Sequence, residues 1–207
     1  MSMKMKSVQT HQPLDWRLAL REWLEDNPPT LPPELKELRQ AFLRRFPRER
    51  IGEMTLEEYS LGHADSKDSF CYWLEWETEE LGSVRGGSSA KWGVWYSSDQ
   101  EAWRHNKAYD TPQDALQQIR NGLEALLEAT ETGRFDELDE LGSELLGQNR
   151  NSLRSKPLFL YFPEEFLPIS NPTHMSNMLR YFGQKPVRGL HARNRQLLAF
   201  LQAQPEF

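Results

Sequence analysis

Between Ser69 and Ser97 the chain crowds the rings of Phe70, Tyr72, Trp73, Trp76, Trp92, Trp95 and Tyr96 around a glycine pair, Gly86-Gly87, and two cations, Arg85 and Lys91. Aromatic faces at this density can enclose a flat ligand. Glycine reaches positive φ freely and has no side chain, so a ligand could approach the backbone closely here. A nucleic-acid base swung out of its stack is such a ligand. Aromatic faces return roughly 1–3 kcal/mol of the stacking lost per base, and the phosphates on either side need cations. Tyr72, Trp73, Trp92 and Trp95 beside Gly86 and Gly87 supply the faces and the glycine turn, and Arg85, Lys91, Arg104 and Lys107 could hold the flanking phosphates. The plain alternative is that these rings form the core where a helix crosses a sheet, since aromatic side chains dominate cores by area alone.

Other chemistries have weaker support. The sequence contains no phosphate loop of the Gly-x-x-x-x-Gly-Lys-Ser/Thr kind, no Gly-x-Ser-x-Gly elbow, no His-Glu-x-x-His and no dinucleotide fingerprint after a strand. SVRGGSSAKWG lacks the spacing and the Lys-Ser/Thr pair of a phosphate cradle. His11, His63, His105, His174 and His191 are scattered, so no metal or cofactor is expected. His63 and Asp65 with Glu75 or Glu77 could make a small hydrolytic site, although paired carboxylates are common on acidic helices. The single cysteine, Cys71, sits in an apolar run and reads as a small buried hydrophobe.

The elements that must hold the aromatic set are legible from periodicity. DSFCYWLEWETEELG repeats Phe70, Trp73, Leu74 and Glu77 at helical spacing, whereas KWGVWYS reads as a strand. On a strand Lys91, Gly93 and Trp95 share one face and Trp92, Val94 and Tyr96 the other. Trp95 is therefore assigned to the ligand side, where Gly93 leaves room, and Trp92 to the core. A second strand over Glu101–Tyr109 pairs with it across Ser97 to Gln100, and the apolar run Pro157–Phe162 reads as a third, buried strand. Thr111-Pro112-Gln113-Asp114 starts a helix to Thr130, with a capping hydroxyl, proline at the first position and an acid in the first turn. Thr55 begins a short helix through a Ser/Thr-x-x-Glu capping box.

The expected fold is α+β, a small antiparallel sheet flanked by helices, with an N-terminal helical hairpin. Residues 1–12 read as a tail without the apolar stretch of a signal peptide, 13–50 as the hairpin, 51–183 as the core and 184–207 as a C-terminal helix leading toward a further domain. The hairpin pairs Trp16, Leu20, Trp23 and Leu24 with Leu35, Leu38, Phe42 and Phe46. Its arginines 39, 44, 45, 48 and 50 form a solvated or phosphate-facing tract. A helix in which Met175, Met178, Leu179 and Phe182 share a face stops at Gly183, and the last restarts near His191.

The net charge of −6 is unevenly spread: residues 1–51 carry 10 basic and 7 acidic side chains, 52–150 carry 8 and 21, and 151–207 carry 7 and 3. Phosphate affinity depends on local placement, so an acidic total excludes nothing. Arg180, Lys185, Arg188, Arg193 and Arg195 in the basic end are expected to add nonspecific electrostatic affinity. No apolar run approaches the roughly 20 residues of a membrane helix, and a cytoplasmic location is expected.

YSLG (59–62), DSFCYWLEWETEELGSVRGGSSAKWGVW (68–95) and LFLYFPEEFLPISNPTHMSNMLRYFG (158–183), in that order, resemble the region ahead of the motor domain in McrB-type AAA+ nucleotidases of modification-dependent restriction systems. The resemblance implies a DNA-binding specificity module of an antiviral defence system, often reading a modified base. It implies no catalysis in this segment, and a downstream or separate AAA+ motor and a nuclease subunit as partners. Two other readings stand beside it: a protein-interaction or assembly module of a defence ATPase, and the small hydrolase using His63 and Asp65.

Overall fold

The computed structural model describes residues 17–18, 21–22, 32–63 and 66–205, and its architecture is α+β: mostly helix, with one two-stranded antiparallel sheet among the described residues. Helix α1 (Pro33–Arg45) starts where Pro32-Pro33 set the first turn and stops at Phe46, whose N–H closes on the Phe42 carbonyl (2.9 Å). The short α2 (Leu56–Tyr59) carries the reciprocal cap expected from its sequence: Thr55 Oγ1 accepts from Glu58 N, and the Glu58 carboxylate accepts from Thr55 N. Helix α3 (Phe70–Tyr72) continues as a π-helical turn, Trp73–Glu77, and a 3₁₀ turn, Glu79–Leu81. After a glycine-rich loop, a 3₁₀ turn (Ser89–Trp92) leads into β1 (Val94–Ser97). This strand pairs with β2 (Ala102–His105), Trp95 opposite Arg104 and Tyr96 opposite Trp103.

Helix α4 (Pro112–Glu131) is the spine. Thr111 accepts from Asp114 N, Pro112 occupies the first position, and Leu116, Ile119, Leu123, Leu126 and Leu127 are all buried along one stripe. Helix α5 (Leu138–Leu141) runs into a second π turn, Gly142–Leu146, followed by α6 (Asn151–Tyr161), α7 (Pro172–Tyr181) and α8 (Leu190–Gln202). One core cluster joins Phe42, Tyr59, Phe70, Leu74, Trp92, Ile119 and Leu158, and a smaller one joins Met175 and Leu179 to Leu190 and Leu197. Asp139 ties them together by accepting the N–H groups of Leu190 (2.6 Å), His191 (3.0 Å) and Ala192 (3.0 Å), the open first turn of α8. Burial opposes the charge of Asp139, but buried His191 and these N–H groups hold its carboxyl well below the usual carboxylate range. No helix among the described residues is long and apolar enough to cross a membrane.

Three strand expectations are corrected. Pro157–Phe162 is not a strand: Pro157 to Tyr161 are the second half of α6, and Phe162 is its cap. A short apolar run suits a buried helix as well as a buried strand, and here the helix satisfies its own backbone while burying Leu153, Leu158 and Leu160. Arg39 completes its end by donating to the carbonyls of Leu160 (2.7 Å) and Tyr161 (3.1 Å). The strand expected from Lys91 begins only at Val94, because Gly93 at φ 90° ends a 3₁₀ turn. The partner strand expected to Tyr109 ends at His105. Of the first hairpin arm, 17–18 and 21–22 are helical; the rest, with Trp16, Leu20, Trp23 and Leu24, and the 1–12 tail lie outside the described residues.

Within α6, Lys156 is only 2 % exposed, and its ammonium donates to the carbonyls of Thr78 (2.7 Å), Leu81 (2.9 Å) and Gly82. Burial pulls its pKa down to about 7, against a weaker pull upward from Glu79. Between that value and the ordinary lysine value of 10.5 the folded chain binds fewer protons than the unfolded one, so the cost of folding with this group falls as pH rises. We expect the unfolding free energy of the wild-type protein, measured against the non-titrating Lys156→Met, to gain about 1 kcal/mol per pH unit between pH 7.5 and 9.5. A difference that stays flat over that range would show an unshifted amine.

Candidate functional site

The π turn at Trp73–Glu77 sends Glu75 inward, where it is 5 % exposed. Its two oxygens are both used: Oε2 accepts from Trp92 Nε1 (3.0 Å) and Oε1 faces Lys91 Nζ (2.7 Å). Lys91 Nζ also donates to the carbonyls of Val84 (2.8 Å) and Gly86 (2.9 Å). One ion pair between buried Glu75 and half-buried Lys91 therefore anchors the glycine-rich loop. Trp92, fully buried, is fixed further by Tyr59, whose hydroxyl donates to its carbonyl (2.6 Å). On the outside of the loop Gly86 and Gly87 take positive φ, and a Cβ on either would meet nothing within 4 Å. Arg85 pairs with Glu79 (2.8 Å) and lies over the ring of Trp76 (4.2 Å), which is 41 % exposed and has Tyr72 beside it at 6.3 Å. A surface patch of two rings and a guanidinium results.

Through Arg85 this patch meets a cleft of about 660 Å³ between the glycine-rich loop, the first residues of α6 and the segment from Pro168 to His174. Arg85, Gly86, Lys91, Arg150 and His174 line it, and none of its lining residues is Asp or Glu. Two helix N-termini open on it. That of α7 is capped by Asn171, whose Oδ1 accepts from Thr173 N (2.9 Å) and His174 N (3.2 Å), while α6 has no side-chain cap. Arg150, at the start of α6, is 9 % exposed and makes one hydrogen bond, from Nη1 to the Tyr109 hydroxyl, with its guanidinium 5.1 Å from that ring's centre. Arg85 and Lys91 have carboxylate partners; Arg150 has none among the described residues.

Of the residues expected at a site, the structure brings Arg85, Gly86 and Lys91 into this cleft, with Gly87 next in the loop and Tyr72 on the rim through Trp76. Lys91 is not available to a phosphate, because its three N–H donors are used by Glu75 and two carbonyls. Trp73 packs half-buried against Phe46 (6.1 Å) and the core. Trp92 is buried, as expected, although it sits in a 3₁₀ turn where strand alternation does not apply. Trp95 is half-buried on the hairpin opposite exposed Arg104; they and Lys107 do not line the cleft.

His63 stacks on Trp103 (5.5 Å), Glu75 is committed to Trp92 and Lys91, and Asp65 lies outside the described residues. Cys71 is fully buried, and burial pushes its thiol well above the ordinary value. No group of three His, Cys, Asp or Glu among the described residues could hold a metal. At the basic end Arg180, Lys185 and Arg188 are exposed, but Arg193 donates to the carbonyls of Pro172 (2.9 Å) and Val187 (3.0 Å), and Arg195 pairs with Glu165 and lies 3.4 Å over the ring of Phe135. Trp76 was named in the aromatic set and His174 among the scattered histidines, but neither was assigned to the site, and Arg150 was missed altogether. A usable signal existed for Arg150: residues 145–163 contain no acid in a chain with 31.

Glu75→Gln should cost about 1–3 kcal/mol of stability, because it leaves half-buried Lys91 without its counter-charge, and should speed amide exchange at residues 83–87. A loss below about 1 kcal/mol would show that the loop is held by something else. Compared with family models, with curated proteins and with solved structures, the chain matches none.

Proposed function

We propose that the chain is a DNA-binding specificity module of a modification-dependent restriction system that acts against phage. The observation that carries this reading is a cleft with Arg150 and no acid in its lining, in a chain of net charge −6, joined through exposed Arg85 to exposed Trp76 and half-buried Tyr72. Arg150, the one of the three lining cations with no carboxylate partner among the described residues, can attract a phosphate, and an exposed indole beside open glycines offers a flat face on which an extruded base could stack. Trp76 takes the ligand-stacking role that sequence periodicity gave to Trp95. Exposed Arg180, Lys185 and Arg188 supply long-range attraction to the backbone. In this reading the chain carries no catalysis. Nucleotide hydrolysis and strand cleavage belong to an AAA+ motor and a nuclease subunit, joined to it or separate, in the cytoplasm.

The test is fluorescence anisotropy with duplexes identical except for methylation of one base, titrated at several salt concentrations. Affinity should fall steeply with salt, and neutralising Arg180, Lys185 and Arg188 together should flatten that dependence by up to about three phosphates' worth. Trp76→Ala should weaken binding by about 1–3 kcal/mol with little change in melting temperature. Absence of binding to every duplex would retire the reading in favour of a protein-interaction module, whose apolar contacts respond little to salt.

A further inference from the structure

We propose that the cleft is a receptor for one phosphate group, with the Arg150 guanidinium as its principal ligand. That the phosphate belongs to a nucleotide or a strand rests on the DNA-binding reading; the anion site itself does not. A guanidinium cannot shed its charge by deprotonation, so a buried one is normally found against a carboxylate. Arg150 is nine-tenths buried, its single hydrogen bond goes to a neutral phenol, and no carboxylate pairs with it among the described residues. Its other N–H groups form a planar fork with no acceptor among the described residues, and Arg150 is one of the residues lining a cleft whose lining has no acid. Such a fork matches two oxygens of a phosphate.

The surroundings favour the same ligand. Helix α6 begins at this guanidinium, is long enough for an appreciable dipole, and has no side chain over the N–H groups of its first turn. Asn149, Ser152, Ser170 and Thr173 add amide and hydroxyl groups to the wall. A volume of about 660 Å³ exceeds what a bare ion needs and suits a nucleotide, whose base could reach the Trp76 rim through Arg85, the residue shared by rim and cleft.

Calorimetric titration of the full chain at low salt, with inorganic phosphate, deoxythymidine 5′-monophosphate and thymidine, tests this. Both phosphates should bind, the nucleotide more tightly, and thymidine should not. Arg150→Gln should weaken the nucleotide at least tenfold. Because Arg150 also braces Tyr109, Asn151→Asp is the decisive second variant: it sets a carboxylate in the cleft, while an acid in the first turn of α6 favours the helix. It should keep the melting temperature and lose nucleotide binding at least tenfold. Nucleotide binding unchanged in a folded Asn151→Asp, or no binding of either phosphate by the wild-type chain, would overturn the receptor. In that event duplex binding would still sustain the DNA reading. Nucleotide binding that depends on Arg150, with no duplex bound, would sustain the receptor and retire the DNA reading.

Discussion

A single buried carboxylate, Glu75, sets the geometry of the cleft. Charge in a protein interior is tolerated only where every lone pair has a partner, and here an indole N–H and an ammonium meet the two oxygens. The π turn makes this possible by displacing Glu75 from the register that a continuous α-helix would give it. Trp92 is then oriented by its nitrogen as well as by its shape, and Lys91 is drawn under the loop, where it collects two carbonyls. With those carbonyls turned inward, the glycine pair faces open space.

Lys91 and Lys156 apply the same device from opposite sides. Between them they gather the carbonyls of Thr78, Leu81, Gly82, Val84 and Gly86, so a stretch with little regular structure is held by two ammonium groups in place of a ladder of amides. The arrangement uses the one property in which an ammonium differs most from a guanidinium: three donors on a point, which can converge on carbonyls arriving from different directions. Arg150, planar and short of acceptors, is the exception in this neighbourhood.

Sequence periodicity located most helices because their signals are local. The caps at Thr55 and Thr111, the proline at 112 and the stop at Gly183 act within one turn, and each has its expected effect. The third strand failed for a physical reason: six apolar residues bury equally well in either conformation, and Pro157, read as the start of a strand, costs α6 one hydrogen bond without ending it. The glycine loop and its two cations were visible as a concentration of residue types. What the cations do was not visible, since pairing Lys91 with Glu75 across 16 positions, or leaving Arg150 without an acid, is decided by packing. The π turns carry no sequence signature of the kind that marks a cap.

Asp139 caps a helix that starts 51 residues further along the chain. A helix whose first turn is closed by its own preceding side chain can form as soon as it is synthesised, but α8 has only Gly189 before it and depends on a carboxylate from the main core. Its nucleation is therefore coupled to a contact of long sequence separation, and α5 must be in position first. During folding the C-terminal helix should be the late element, closing over a core already assembled, and in the native state the one most ready to open without disturbing the rest.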